Sequence, residues 1–258
     1  MPLPRPSTVR VSLLLTVLAI VGFISLHQSV YTRSWTKTLQ VTVFPINGDG
    51  HQSTDNYVKA LTDESFSAIN HWGIREAKRH DLDLQTPFEV TLGEQIMTMP
   101  PFFPDNTQAL AVVLWGLRFR YWAWKNTPDG HEGLTRVRMF VVYQGNDETP
   151  LQHSLGMQKG LMGLVHAYAL ETQTAQNNIV IAHEMLHTVG ATDKYGSHGA
   201  PLYPQGYANI LHKPLHPQRR AEIMAGRIPT SSNSSYMAYS LRSVVINETT
   251  ASEINWLP

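Results

Sequence analysis

The sequence predicts one α+β domain that follows an apolar N-terminal segment. Hydrophobic residues make up 42% of the chain and charged residues 16%, which is the balance of a globular protein with a buried core. Short runs rich in β-branched residues occur among longer runs with helical spacing, so strands and helices are both expected. The formal net charge is +0 and cysteine is absent. We therefore expect no nucleic-acid partner, and disulfides and thiolate metal sites are excluded.

The apolar N-terminal segment is long enough to cross a bilayer. The stretch between Arg10 and Arg33 carries no charged side chain, and a spanning helix needs about 20 apolar residues. No convincing cleavage site follows it, so an uncleaved signal anchor is favoured over a cleaved signal peptide or a buried helix. Basic residues before the span favour a cytoplasmic N-terminus, with the main domain periplasmic or extracellular. We divide the chain into a tip and membrane anchor, residues 1–34, and a domain, residues 35–258.

Regular elements follow from the spacing of apolar residues. The predicted strands are residues 39–44, 88–92, 136–143 and 161–169. The predicted helices are residues 54–80, residues 107–125 with Asp105 as the cap, and a helix from 172 or 174 to 190. Near the C-terminus, Thr250 and Glu253 match a capping box, which predicts a short last helix.

The segment 107–125 mixes apolar, aromatic and basic side chains. One set of apolar residues at helical spacing is predicted to face the core: Leu110, Val113, Leu114, Leu117, Tyr121 and Trp124. The residues near its end also alternate, so this end could instead be extended. A membrane surface or a nucleic acid could use such a mixture, but one amphipathic core helix is the favoured interpretation.

The chemistry is concentrated in the segment AHEMLHTVGATD, residues 182–193. Residues four apart on a helix share a face, so His183 and His187 can present both imidazoles to one metal ion. Glu184 lies beside that face, where its carboxylate can take a proton from a metal-activated water and pass it to a leaving amine. Gly190 permits the left-handed conformation of a helix stop. Asp193 can then turn back as a third ligand, which leaves a fourth position for water.

Other residues could replace Asp193 as the third ligand. His198, His212 and His216 lie in a stretch rich in proline and glycine, where surface histidines are the commoner case. Glu222 would complete a site of the His₂Glu kind. Asp193 is favoured because its route back to the histidines is short and follows a glycine stop.

The segment HEMLHTVGATD resembles the extended zinc signature of the metzincin clan of metallopeptidases, HExxHxxGxxH/D, in the Asp form of the snapalysin-type group. The resemblance covers this motif and a candidate methionine turn. It implies Zn²⁺ as the cofactor and a zincin fold, in which a mixed twisted sheet lies over the active-site helix and a small C-terminal subdomain follows. It also implies an edge strand that pairs with extended peptide substrate, which we place at about residues 160–169.

In metzincins a methionine turn lies beneath the metal, and two methionines are candidates for it. Met224 lies in EIMAG, beside a glycine that permits a turn, whereas Met237 lies in SYMAY. Met224 is favoured because the surroundings of Met237 are typical of a surface loop. An ordinary core methionine is the alternative for either. Tyr239 in the second motif and Tyr195 are candidates for an auxiliary ligand or an oxyanion donor.

These expectations predict a zinc-dependent endopeptidase that acts on peptide or protein substrates, with Glu184 as general base and then general acid. The N-terminal helix would place it on a lipid bilayer. Two alternatives remain: a zinc hydrolase of cell-wall or other amides, and a membrane-tethered zinc-binding module without turnover. The intact Glu184 argues against the module, which would have no need of that carboxylate. Nothing in the sequence indicates an oligomeric state.

Overall fold

The structure is a computed structural model that describes residues 6–104, 108–128, 135–145, 151–157 and 160–257. Its helices are α1 (Pro6–Thr32), α2 (Gln52–Ala60), α3 (Ser67–Arg79), α4 (Ala109–Asn126), α5 (Thr174–Thr188) and α6 (Glu248–Glu253). Its longer strands are β1 (Leu39–Asn47), β2 (Phe88–Leu92), β3 (Val137–Gln144), β4 (Leu155–Met157) and β5 (Met162–Tyr168). The short strands β6 (Ala221–Glu222), β7 (Arg227–Pro229), β8 (Ser235–Met237) and β9 (Val244–Val245) follow α5.

The central sheet is mixed, as expected of the α+β class. Its five strands have the order β2-β1-β3-β5-β4. The first four are parallel, and β4 pairs with β5 in the antiparallel direction. Nearly every residue of β1, β3 and β5 is buried. Strands covered on both faces are continuously apolar, which explains why their sequences were recognisable.

The predicted position of the edge strand is wrong. Residues 160–169 contain β5, which pairs with β3 on one side and with β4 on the other. The edge is β4, which has only three residues, Leu155–Met157. A strand of this length has too few positions to give a recognisable alternation of apolar and polar residues.

Two predicted helix boundaries are also wrong. Residues 54–80 do not form one helix, because Leu61 is extended and a short 3₁₀ helix, Asp63–Phe66, separates α2 from α3. The backbone N–H of Thr62 donates to Ser65 Oγ at 3.1 Å, which starts a new helical segment. At the C-terminus the cap of α6 is Asn247, whose side chain accepts from the backbone N–H of Thr250. Thr250 therefore lies inside the helix.

Side chains pack on both faces of the sheet. One face carries α3, α5 and the C-terminal elements, and its cluster includes Trp72, Phe88, Ile179 and Met185. The other face carries α4, whose Trp115, Phe119 and Ala123 belong to a second cluster with Phe44 and Phe140. The core is thus two layers, divided by the sheet.

The predicted inner face of α4 points outward. The residues of that set are 45% to 70% exposed: Leu110, Val113, Leu114, Leu117, Tyr121 and Trp124. The buried residues are instead Trp115, Gly116, Phe119 and Ala123. Because α4 is apolar on both sides, its spacing could not indicate which side packs on the sheet. The predicted cap, Asp105, and the predicted first residue, Thr107, lie outside the described residues.

Among the residues that the structure describes, one helix is long and apolar enough to span a membrane. Within α1, Val9–Thr32 has a mean hydropathy of 2.3, and none of its most apolar window is buried. The junction that follows is fastened to the end of α6. The Arg33 guanidinium donates to the backbone carbonyl of Glu253 at 2.5 Å, and the Trp35 indole donates to that of Ile254 at 2.6 Å. Trp35 also packs edge-on against Trp256, with ring centroids 5.6 Å apart.

Candidate metal centre

Helix α5 presents two histidines on one face, one turn apart. The Nε2 atoms of His183 and His187 are 3.1 Å apart. Each ring is held from behind through Nδ1, which lies 3.0 Å from the carbonyl oxygen of Ile223 for His183 and 2.8 Å from that of Ala191 for His187. Since a carbonyl oxygen only accepts, both Nδ1 atoms are donors, and in the neutral rings both Nε2 atoms are acceptors.

The chain reverses after α5 and brings a carboxylate to these nitrogens. Gly190 has a φ of +111°, and the N–H of Ala191 donates to the carbonyl of Leu186 at 3.1 Å. This ends the helix in the left-handed region that glycine adopts without strain. Asp193 Oδ1 then lies 3.1 Å from both Nε2 atoms. The three side chains predicted to share a metal are therefore adjacent.

The donor set fits a divalent cation. The three donor atoms of His183, His187 and Asp193 form a triangle with sides of 3.1 Å. A tetrahedral zinc ion about 2.0–2.1 Å from each donor needs donors about 3.3 Å apart, close to this spacing. Two imidazole nitrogens and one carboxylate oxygen are also a ligand set of catalytic zinc sites.

The contact between Asp193 and His183 stabilises the charged form of each side chain. The contact with both histidines holds the pKa of Asp193 far below its usual range, although partial burial acts in the opposite direction. Burial lowers the pKa of His183, but the bond to Asp193 and the charge of Glu184 outweigh it, so the net pKa is raised. Both shifts express the same electrostatic demand for positive charge between these side chains.

Glu184 lies beside the triangle and is nearly enclosed. It is 6% exposed, and the backbone N–H of Gly156 on β4 donates to its carboxylate. Its other oxygen, Oε2, is buried and has no hydrogen-bond partner among the described residues. Burial raises the pKa of Glu184, and the positive charge of the histidines offsets only part of this rise. A carboxylate of this kind is suited to accept a proton.

The edge strand β4 passes directly against the turn of α5 that contains Glu184 and His187. A Cβ at Gly156 would collide with the backbone oxygen of Glu184 and would lie 2.5 Å from Cβ of His187. Only glycine permits this approach. The sequence alone does not reveal this role, because the glycine lies far from the histidines along the chain.

The loop that carries Asp193 is held from the C-terminus. Glu253 of α6 accepts from the backbone N–H of Thr192 at 2.9 Å and from its hydroxyl at 2.7 Å. Lys194 is 3% exposed, and its Nζ lies 2.7 Å from Glu253 Oε2. Glu253 therefore contacts both neighbours of Asp193, Thr192 and Lys194. The sequence indicates Glu253 only as part of a capping box, since the loop and α6 are distant along the chain.

A turn at Glu222–Gly226 contacts His183 through the backbone carbonyl of Ile223. The N–H groups of Ala225 and Gly226 donate to the carbonyl of Glu222 at 3.1 and 2.8 Å, and Gly226 has a φ of +67°. Met224 in this turn is fully buried. Its neighbour Ile223 accepts the bond from His183. The favoured methionine therefore lies one residue from the carbonyl that accepts a hydrogen bond from His183.

The side chain of Glu222 is engaged elsewhere. Its carboxylate accepts from the hydroxyl of Thr250 at 2.6 Å and from the backbone N–H of Ala225 at 3.1 Å. Burial raises its pKa to about 7. Asp193, and not Glu222, completes the group of three side chains among the described residues that could hold a metal ion.

Of the remaining candidates, Tyr195 contacts a histidine of the site, and the others have different contacts. Tyr195 stacks on His183 with ring centroids 6.2 Å apart, and burial, with the charge of Asp193, raises its pKa to about 12. Tyr239 is 73% exposed and contacts Tyr236. The other residues considered at the sequence level have different contacts. His212 contacts Pro214, His216 contacts Tyr207, Met237 pairs with Arg227 in β7–β8, and His198 lies in a 3₁₀ turn.

Comparisons with known proteins add little. No family model matches the chain, and no curated protein matches it. Among solved structures it is similar to a chain described as "Structure of a chaperone-substrate complex", with 11% identity and a TM-score of 0.39. That match covers 84% of this chain and 33% of the other, so this chain spans about a third of its length. A similarity of this strength carries no argument about fold or function.

Proposed function

We propose that this protein is a zinc-dependent endopeptidase with a metzincin-like site, in which His183, His187 and Asp193 hold the ion. The observation that carries the proposal is the convergence of three acceptor atoms at 3.1 Å from one another. With both Nδ1 atoms donating to carbonyls, this arrangement is unfavourable unless positive charge lies between the acceptors. A bound zinc ion polarises a carbonyl oxygen and makes a water nucleophilic at neutral pH.

Glu184 is the proton carrier in this proposal. Among the described residues its Oε2 has no hydrogen-bond partner, while the Gly156 N–H donates to the opposite oxygen. The free oxygen accepts the proton of the attacking water and then gives it to the leaving amine. Tyr195, which stacks on His183, is proposed to donate its hydroxyl to the developing oxyanion. Met224 is the proposed methionine of the turn beneath the metal.

The strand β4 supports a peptide as the substrate. It is the antiparallel edge of the sheet and lies against the α5 turn that carries Glu184. An extended peptide can add to an exposed edge of this kind through backbone hydrogen bonds. Such pairing would place the peptide backbone over Glu184. Because it uses main-chain groups, it would depend little on the side chains of the peptide. With α1 as a signal anchor, the domain would act in the periplasm or outside the cell.

The test uses the full chain in detergent micelles with a mixed peptide library that includes muropeptides. Glu184→Gln removes the proton acceptor and keeps the shape, and Glu171→Gln makes the same change at an exposed position. We expect cleavage by the wild type and by Glu171→Gln, no cleavage by Glu184→Gln, and one zinc per chain in all three. Cleavage that survives in Glu184→Gln would refute the proposal. Turnover of muropeptides alone would favour the amide-hydrolase alternative, and zinc binding without any turnover would favour the non-catalytic module.

A further inference from the structure

The outward side of α4 forms an apolar surface that the described parts of the chain leave largely exposed. We call the set Leu110, Val113, Leu114, Leu117, Tyr121 and Trp124 the outer face of α4. Its members are 45% to 70% exposed. A surface helix of a globular protein normally places polar side chains on this side. Exposed apolar patches of this kind commonly mark interaction sites.

The surface continues onto the loop before α4. Met97, Met99 and Phe102 are 82%, 41% and 75% exposed. Two contacts hold this loop alongside the helix: the Trp115 indole donates to the Pro101 carbonyl at 2.9 Å, and Thr98 Oγ1 lies 2.7 Å from Asn126 Oδ1. The loop therefore runs beside α4 from Asn126, at the C-terminal end of the helix, to Trp115.

The charge of α4 has one sign. Residues 108–128 contain Arg118, Arg120 and Lys125 and no acidic residue. Arg118 and Lys125 are exposed, and so are Tyr121 and Trp124 near the same end of the helix. An apolar face with basic neighbours and interfacial aromatic residues is typical of helices that lie in the surface of an anionic bilayer.

Helix α1 leaves the domain at the end of the sheet where α4 ends. The Arg138 guanidinium donates to Thr127, immediately after α4, at 3.3 Å, and Arg138 is paired with Thr42 on β1. The strand β1 begins at Leu39, a few residues after α1 ends at Thr32. The basic and aromatic end of α4 is thus at the end of the sheet from which α1 leaves. Trp35 fixes that exit to the domain through Ile254.

We propose that the outer face of α4, with Met97, Met99 and Phe102, docks into the surface of the anionic bilayer that holds α1. The domain then has two membrane contacts, one spanning and one interfacial. Burial of the apolar side chains in the acyl boundary supplies the attraction, and Arg118 and Lys125 add electrostatic attraction to acidic headgroups. This inference depends on α1 being in the bilayer and not on the proposed peptidase activity.

The test exploits the absence of cysteine from the chain. Leu117→Cys places a polarity-sensitive fluorophore on the outer face of α4. Ile74→Cys is the matched control, because Ile74 is an apolar residue of α3 that is 39% exposed. Both full-length variants are reconstituted in vesicles of phosphatidylcholine with phosphatidylglycerol, with and without spin-labelled lipids.

We expect the label at residue 117 to shift to the blue and to be quenched by spin-labelled lipid several-fold more than the label at 74. Removing phosphatidylglycerol should reduce both effects, and an unchanged signal would overturn the electrostatic part of the proposal. Equal emission and equal quenching at the two positions would overturn the docking itself. A blue shift at 117 without lipid quenching would also overturn it, since a protein, such as a second copy of the chain, would then cover this face.

Discussion

Nδ1 of His183 and the backbone oxygen of Ile223 lie 3.0 Å apart, so a candidate metal ligand on α5 is supported by the turn that contains Met224. The contact leaves Nε2 of His183 directed at Asp193. Because the acceptor is a main-chain group, no side-chain substitution removes it directly. Its position depends on how the turn is packed, and Met224 provides that packing.

Truncation of Met224 should therefore destabilise the fold and weaken the metal site together. Met224 is fully buried, so Met224→Ala should cost about 2–5 kcal/mol in unfolding free energy. Met224→Leu keeps the volume and should cost less than about 1.5 kcal/mol. Urea unfolding in chelator measures both values, and zinc titration measures affinity. A Met224→Ala protein with the wild-type urea midpoint would show that the turn does not need this side chain.

Removal of Asp193 should reduce zinc affinity more than removal of a supporting residue does. Loss of a supporting contact typically costs about 10–100-fold in metal affinity, and we expect Asp193→Ala to exceed this range. Asp83→Ala, a change of the same kind at an exposed site, should leave affinity unchanged. Competition with a chromogenic chelator gives the values. If Asp193→Ala binds zinc as the wild type does, another residue is the third ligand.

Glu253 is expected to act as a positioning residue for the Asp193 loop. Glu253→Gln leaves the buried Lys194 ammonium without its charge partner and weakens the two bonds to Thr192. We expect zinc affinity to fall by about 10–100-fold, the range for lost supporting contacts, and the fold to be destabilised. The double variant Lys194→Met/Glu253→Gln should recover most of the stability but little of the zinc affinity, since the loop bonds stay weakened. Full recovery of both would show that only the buried charge matters.

Buried His166 should make the fold less stable in mild acid. His166 is 8% exposed, and burial lowers its pKa to about 4. An unfolded histidine has a pKa of about 6.5, so between pH 6.5 and 4 the unfolded state binds a proton that the folded state does not. Stability from this group is complete above pH 6.5 and falls as the pH falls, by roughly 3 kcal/mol over the window.

The substitution His166→Gln should flatten that pH dependence. Urea midpoints in chelator at pH 7.5, 6 and 5 would be compared for the wild type, His166→Gln and the exposed control His71→Gln. We expect the wild type and His71→Gln to lose stability in parallel, and His166→Gln to lose less. Parallel curves for all three proteins would mean that His166 is not the group responsible.

The candidate site was predictable because its ligands are close together in the sequence. His183 and His187 share a helix face by periodicity, and a glycine stop is enough to return Asp193 to them. The residues that hold these ligands, such as Gly156 and Glu253, come from distant parts of the chain. Their roles depend on tertiary contacts, for which neither spacing nor composition gives a signal.

The fold was predictable in outline for a similar reason. Strands buried on both faces, such as β3, have continuous apolar sequences, whereas β4 is too short to show a pattern. The inner face of helix α4 was predicted wrongly, because both of its sides are apolar and the more regular apolar stripe is the exposed one. Periodicity identifies an apolar face but does not show whether protein or lipid covers it.

With α1 in a bilayer, the attachment of Arg33 and Trp35 to the end of α6 would limit where the protein can act. A flexible linker would let a tethered domain move through a wide volume. Here the residues directly after α1 are bonded to the domain, so no flexible linker separates them. With α1 in a bilayer, the metal centre would stand at a fixed height above the lipid. The choice of substrate would then depend on distance from the membrane as well as on sequence. A segment of a neighbouring protein would be accessible only where it lies at the same distance from the bilayer as the metal centre.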